Sequence, residues 1–461
     1  MSEEKSENAR ASMRTRVENE NNRQEVVHLH HMKVKWRKTV HDENIRTIDA
    51  SLRERTLIVG RVGLMMLECG TGAWRVLDAM DRIARRMGLT CTADIGLVSI
   101  SYTCLDGEQS CAVSLSIPTT GINTDKLQHL EKFIYEFRER GHQMTLKEVH
   151  DWLDSISTLK GNYSAFQVGF AAGFACFGFT FLLGGGLPEM IMALLGAMCG
   201  NWLKSTLARK HISLVLNTVA GVAFACVVSI AGYRIAEAFG LSPVHEAGYI
   251  CAMLFIIPGF PLITGNMDLA KSHMRSGLER MAYAIMIITI ATFTGWLTAQ
   301  FLGFHPKDFV ALDMGKTEEV FLWLVCSFLG VYGFSMMYNS PRKMAATAGV
   351  IGAIANTTRL LLVNFGGMTP AFAAFIGATM AGCMGAAIRP RTHYPRISMT
   401  VPSIVIMVPG MFMYKAIYFF GTNDFTTGLS WLIKACFIVL ALPMGLVFAR
   451  ILTDKRFRRN Y

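Results

Sequence analysis

The chain has 461 residues, 52% of them hydrophobic, with 28 methionines and a formal net charge of +11. A mean hydropathy of +0.34 speaks against a single soluble domain, and the excess positive charge sits beside apolar blocks. That placement orients a membrane protein and argues against nucleic-acid binding.

Residues 1–50 are polar and read as an arm, with a basic run from Lys33 to Lys38 and histidines at 28, 30 and 31. Without cysteine or carboxylate at ligand spacing, His28, His30 and His31 read as solvated side chains, and no metal site is expected. The hydrophilic start lacks a signal-peptide core, so the polar part is expected on the cytoplasmic side.

Residues 51–160 read as a small α/β (α+β) domain. Helical periodicity covers Thr56–Cys69 and Gly72–Met87, and Gly88 stops the second helix. Leu97–Tyr102 and Cys111–Ile117 alternate as two strands joined by a turn at Leu105–Glu108. Two more helices follow, Asp125–Arg140 and Leu146–Thr158, the second with Thr145 and Glu148 spaced as a capping box.

Ten apolar blocks then occupy 165–183, 187–203, 211–236, 247–265, 279–301, 319–338, 345–363, 370–388, 397–418 and 428–450. Each is near the length a spanning helix needs. With the N-terminal part inside, the inner loops hold Lys204, Arg209, Lys210, Lys271, Arg275 and Arg280 in the first half. In the second half they hold Arg342, Lys343, Arg389, Arg391, Arg396, Lys455, Arg456, Arg458 and Arg459. The outer loops keep only Lys307 and Lys316, with Lys415 near an outer helix end. Adding or losing one span would destroy this asymmetry. The expected domains are thus an arm (1–50), the α/β domain (51–160), membrane half one (161–302), an outer loop (303–318) and half two (319–461). Five spans per half make the halves run in opposite senses, a 5+5 inverted repeat.

The fourth span of each half is broken by a Pro-Gly pair, Pro258-Gly259 and Pro409-Gly410, 151 residues apart. Proline removes a donor and clashes with the preceding turn, and glycine adds backbone freedom. A break inside lipid is tolerated only where protein or a water-filled cavity covers it. Two breaks at matching places mark a transporter's binding site.

Polar side chains inside the blocks face a pathway or a partner. The candidates for holding substrate are Asn217, Asn266, Asn356 and Arg359, together with Pro258, Gly259, Pro409 and Gly410. Arg359 suits a carboxylate, while each asparagine serves equally as a helix–helix hydrogen bond. Asp268, about ten residues past Pro258, lies near the inner interface and is the candidate proton carrier; an ordinary interfacial charge is the other reading. Arg234 and Glu237 read as a local ion pair. Gly184–Gly186 lacks a following Gly-Lys-Ser/Thr and reads as a tight outer turn with Pro188. The seven cysteines of the apolar blocks, such as Cys176 and Cys226, read as small buried hydrophobes. No hydrolase, zinc-protease or nucleotide motif occurs, so neither an enzyme nor a cofactor is expected.

These motifs together resemble the threonine/serine exporter family of bacterial inner-membrane transporters, over roughly residues 55–450. The segments carrying the resemblance are Leu67–Val76 before the helix ending at Gly88-Leu89, the turn at Gly184, Pro258–Leu262 with Asn266-Met-Asp268, Ser276–Arg280, and Pro402–Tyr414. The resemblance implies ten spans, a cytoplasmic N-terminal domain, cytoplasmic termini and export of small hydrophilic metabolites driven by the proton gradient. Members resembling the split, two-subunit form are associated with dicarboxylates such as succinate; here both halves are fused. Met267 stands where some members have arginine before the aspartate, which weakens transfer of a charged-pair role to Asp268. The expectation is a proton-coupled exporter of L-threonine or L-serine, with a dicarboxylate exporter as alternative. Its partners are small-molecule substrate, protons and bilayer, and a homo-oligomer is compatible. From another class, residues 51–160 could act as a membrane-anchored enzyme or sensor, but paired breaks in ten spans exceed what anchoring requires.

Overall fold

The computed structural model describes residues 34–240, 248–305, 312–455 and 457–458. The histidine cluster at 28–31, Lys307, Arg456 and Arg459 lie outside the described residues.

The N-terminal layer begins with α1 (Leu52–Glu68), whose first turn is closed by a reciprocal capping box between Ser51 and Glu54. After it, α2 (Ala73–Arg86) starts from Gly72, which has no side chain to cap it. Three strands follow, β1 (Thr90–Ile95), β2 (Ser99–Asp106) and β3 (Gln109–Ser116), as an antiparallel sheet in sequence order. The hairpin expected at Leu105–Glu108 is present, with Gly107 at φ +57°. The expectation of two strands is corrected to three. The first strand, Thr-Cys-Thr-Ala-Asp-Ile, is polar because its alternate residues face solvent, so it carries almost no apolar period. The sheet's inner face presents Ile100, Tyr102 and Cys104, all buried. Helices α3 (Thr124–Arg140) and α4 (Leu146–Ser157) complete the layer, the latter with the anticipated Thr145–Glu148 capping box. Preceding chain docks on α4, where Arg37 pairs with Asp154 at 2.8 Å and Arg61 lies over the Trp36 ring.

The remaining helices are α5 (Ala165–Leu182), α6 (Leu187–Arg209), α7 (Leu214–Ala238), α8 (Gly248–Met253), α9 (Gly259–Leu269) and α10 (Met274–Leu302). A second series follows: α11 (Lys316–Met337), α12 (Arg342–Asn364), α13 (Pro370–Thr392), α14 (Arg396–Val405), α15 (Gly410–Gly421) and α16 (Phe425–Thr453). Among the described residues, seven of these helices are long and apolar enough to cross a membrane, and up to nine if two bent pairs each count as one span. Helix α6, 23 residues long, occupies the second expected block but is less apolar than those seven. Large apolar residues such as Phe224, Phe293, Phe437 and Met444 are exposed on the helix surfaces, as a lipid-facing exterior requires.

Helices α5 and α11 cross at glycines. A Cβ on Gly178 would meet the Cys326 carbonyl at 2.4 Å, and one on Gly333 would meet the Ala171 carbonyl at 2.4 Å. Backbone approach this close requires small residues. The turn after α5 takes the expected tight form, with Gly184 at φ +100° and the Gly185 N–H donating to the Thr180 carbonyl.

The N-terminal layer docks on one end of these helices. Thr124 donates its amide to the Tyr338 carbonyl, the Asn339 amide group donates to Asn123, and the Leu97 N–H donates to Glu279. Since Tyr338 follows α11 and Lys316 starts it, Lys316 lies about 33 Å along the helix from that docking face.

Candidate functional site

The two Pro-Gly breaks have nearly one geometry. Pro258 sits at φ −79°, ψ 60° and Pro409 at φ −81°, ψ 58°. In each, the glycine N–H reaches back two residues, Gly259 to the Ile257 carbonyl at 2.8 Å and Gly410 to the Val408 carbonyl at 2.9 Å. These are inverse γ-turns, which reverse the chain without a helical bond. The helical segments diverge by 56° at the first break and 48° at the second.

The breaks also pack reciprocally. A Cβ on Gly259 would lie 3.0 Å from Val405 in the second break, and one on Gly410 would lie 2.1 Å from Ile257 in the first. Two breaks that bury each other's glycine satisfy the requirement that irregular backbone at membrane depth be covered by protein. Tyr249 and Tyr414 join the same elements through a 2.5 Å hydroxyl pair.

Helices α9 and α15 both begin at these glycines with no side-chain cap. The first amides of such a helix carry partial positive charge. The start of α15 opens onto a cavity of about 580 Å³, lined there by Pro409, Met411 and Phe412. Arg359 and Lys415 bring positive charge to this cavity and Glu319 brings negative charge. Trp323 and Phe179 supply apolar wall. Arg359 is fixed from behind, since its Nε donates to Asn356 Oδ1 at 2.8 Å while Asn356 Nδ2 donates to Ser327 Oγ at 2.8 Å. Lys415 rests against the Trp431 ring at 4.7 Å. The cavity also touches Gly184, Met314 and Pro370, at the helix ends away from the N-terminal layer.

Of the nine residues singled out in the sequence, Arg359 and Pro409 line this cavity. Asn356 positions Arg359, and Gly410 adjoins Pro409. Pro258 and Gly259 form the break that packs behind. Asn217 and Asn266 stand apart, Asn217 donating to the Ile212 carbonyl and Asn266 to the Leu262 carbonyl. Arg234 and Glu237 form the expected pair at 3.5 Å.

Asp268 is placed elsewhere, at the docking face, and is only 2% exposed. Its Oδ2 accepts from the Ala73 N–H at 3.0 Å and from Ser276 Oγ at 2.9 Å, with Arg280 Nε 3.4 Å away. Arg280, equally buried, donates onward to the carbonyls of Gly70 and Thr71. The carboxylate thus supplies the cap that Gly72 lacks, and the pair clamps α2 to α9 and α10.

Two residues escaped the sequence reading. Glu319 sits in the first turn of α11, where an acid is ordinary helix-end chemistry, so nothing local marks it. Glu189 is 3% exposed in the first turn of α6, beside Gly248, and the glycine-rich turn before it drew attention to its backbone alone. Among the described residues no group of three or more His, Cys, Asp or Glu is arranged to hold a metal.

Residues 57–302 match the family described as "putative threonine/serine exporter", and residues 323–452 match the one described as "Threonine/Serine exporter, ThrE". A probable threonine/serine exporter of Mycobacterium tuberculosis is 24% identical over 409 residues, covering 86% of this chain and 75% of that protein. The probable succinate transporter subunit YjjP of Escherichia coli is 24% identical over 252 residues, 54% of this chain and 94% of that protein. Pheromone-regulated membrane protein 10 of Debaryomyces hansenii is 24% identical over 287 residues, 58% of this chain and 27% of that protein. No solved structure matches.

Proposed function

Because the chain belongs to the threonine/serine exporter family and is a multi-pass membrane protein, we propose that it exports L-threonine and L-serine, driven by the proton gradient. The observation that carries this reading is the cavity at the second break. There Arg359, Lys415 and the uncapped start of α15 stand ready for a carboxylate, and Glu319 for an ammonium group. A free amino acid carries both charges on one carbon and suits a site with both signs.

In this proposal the membrane part is ten spans in a 5+5 inverted repeat, with α6 as the tenth. The matching turns at Pro258 and Pro409 and their reciprocal packing support it. Alternating access would come from the two breaks rolling on each other. Positive charge at the docking end supports cytoplasmic termini and an inner-membrane location. Asp268 would couple protons by way of its clamp, since protonation would weaken its hold on Ala73 and Arg280. Pro258, Gly259, Asn217 and Asn266 would act in the packing and motion of the halves.

A dicarboxylate such as succinate is the second reading. Two cationic side chains against one acid in the cavity favour it, and the name of the Escherichia coli relative points the same way. Proteoliposome counterflow separates the two. If the cargo is zwitterionic, threonine and serine exchange and succinate does not, and Glu319→Gln lowers threonine exchange. Succinate exchange that survives Glu319→Gln, with no threonine exchange in the wild type, would overturn the first reading.

A further inference from the structure

A second cavity, about 850 Å³, lies at the docking face between α2 and α3 on one side and the ends of α13, α14 and α16 on the other. Six arginines line it. Arg75, Arg82 and Arg138 come from the N-terminal layer, and Arg389, Arg396 and Arg450 come from the helix ends. Only three acids join them, Asp78, Glu131 and Asp454. All three are engaged, Asp78 with Arg82, Glu131 with Arg75, and Asp454 as acceptor from the Phe457 N–H.

The three arginines of the helix ends form no ion pair among the described residues. Arg396, 6% exposed, donates to two neutral oxygens, Thr453 Oγ1 at 2.8 Å and the Gly382 carbonyl at 2.7 Å. Arg450, 5% exposed, rests on the rings of Trp74 and Phe457. Arg389 lines the same space and is exposed. Facing them, the Nε atoms of Arg75 and Arg82 are buried without a hydrogen-bond partner. Clustered guanidinium groups with spare donors repel one another and leave desolvated N–H groups unmet. Planar guanidinium forks fit phosphate and carboxylate oxygens, two bonds at a time.

We propose that this cavity binds a small multivalent oxyanion, a phosphate or dicarboxylate dianion, bridging the N-terminal layer to the ends of α13, α14 and α16. It is separate from the cargo cavity, because Pro370 lines that one and Arg389 this one, about 28 Å apart along α13. With the anion in place the opposing arginines are held together. Without it, their repulsion favours separation of the layer from the helix ends, so occupancy sets how tightly the layer docks.

The test uses the full chain in phosphatidylcholine nanodiscs, titrated with pyrophosphate and with succinate at constant ionic strength, followed by thermal unfolding. A saturable rise in Tm that sodium chloride does not reproduce is the expected result. Arg389→Gln and Arg138→Gln, on opposite walls and both exposed, should each weaken the apparent Kd about tenfold, the loss of one charge-assisted contact. Repeating the titration in phosphatidylglycerol nanodiscs distinguishes the source of the oxyanion. If a lipid phosphate fills the site, the added anion no longer shifts Tm there, and native mass spectrometry shows a lipid retained by wild type and lost by Arg389→Gln. The proposal fails if chloride gives the same shift. It also fails if both variants titrate like wild type and retain no less lipid.

Discussion

Asp268 caps the start of α2 through the Ala73 N–H, although 195 residues separate them in the chain. Because Arg280 leans on the same carboxylate from α10, this buried ion pair is one of the contacts that hold the N-terminal layer on the helix ends. Breaking a buried pair by removing one partner typically costs about 3–5 kcal/mol, because the other charge is left uncompensated. Asp268→Asn keeps the shape and an acceptor, so its cost should fall near the lower end. Differential scanning calorimetry of the purified chain is expected to show the drop. Proton-driven efflux in the same variant should lose its response to an imposed pH gradient. A full response at normal expression would remove Asp268 from coupling.

Gly72 is the steric counterpart of that clamp. A Cβ there would stand 2.5 Å from Asp268 Oδ1 and 3.2 Å from its Cγ, inside contact distance of a carboxylate already held by three donors. Gly72→Ala should therefore loosen the layer at a cost of about 1–3 kcal/mol, in the range of mutations that break a buried polar network. Hydrogen exchange is the direct measurement. The amides of residues 73–76 should exchange faster in the variant, while those of α5 and α11 stay protected.

Much of this architecture was legible in the chain because the signals were local. The apolar blocks, the capping box at Thr145, and the Pro-Gly breaks each announce themselves within a few residues. Strand β1 was silent because a solvated edge has no apolar period to read. The candidate site was legible only in part. Arg359 and Pro409 stand out as a charge and a helix breaker inside apolar blocks, whereas Glu319 lies at a helix start where acids are common. Asp268 illustrates the limit most clearly. Distance past Pro258 placed it near an inner interface, but its partners Ala73 and Gly72 come from another part of the fold, and no local pattern encodes that contact.

The glycines of the paired elements should rank by what a methyl group would strike. At Gly178 it meets the Cys326 carbonyl at 2.4 Å, and backbone cannot move aside without shifting α11. At Gly410 it meets side-chain ends, Ile257 Cδ1 at 2.1 Å and Leu254 Cδ2 at 2.8 Å, which repack at a smaller cost. At Gly259 the contact with Val405 is 3.0 Å and needs only a slight adjustment. Alanine substitutions should lower Tm in the order Gly178, Gly410, Gly259, with about 1–3 kcal/mol for the first. Transport should follow a different order if the breaks move. Gly410→Ala and Gly259→Ala should slow efflux more than their stability losses explain. Efflux that simply tracks Tm across the three would argue that the breaks are static.

His150 gives the N-terminal layer a defined acid sensitivity. It is 3% exposed, and Arg61 Nη1 donates to its Nδ1 at 2.8 Å, a bond that only the neutral ring can accept. Burial and the positive charges of Arg61 and Arg37 outweigh Asp154 and Asp151, and they push the imidazole down to about 4 from its ordinary 6.5. The folded state therefore refuses a proton that the unfolded chain accepts below pH 6.5. Stability from this residue is complete above pH 6.5 and is lost as pH falls toward 4, about 2–3 kcal/mol across that window. Asp154 also contributes, with its carboxyl held below the usual range by Arg37 and Arg61 despite its burial, but its contribution is lost only at lower pH. His150→Asn keeps an acceptor for Arg61 and removes the titration. The unfolding free energy of the layer, followed by tryptophan fluorescence as pH is lowered from 7 to 4.5, should fall steeply in wild type and stay nearly flat in the variant. Equal slopes for the two would assign the acid sensitivity to other groups.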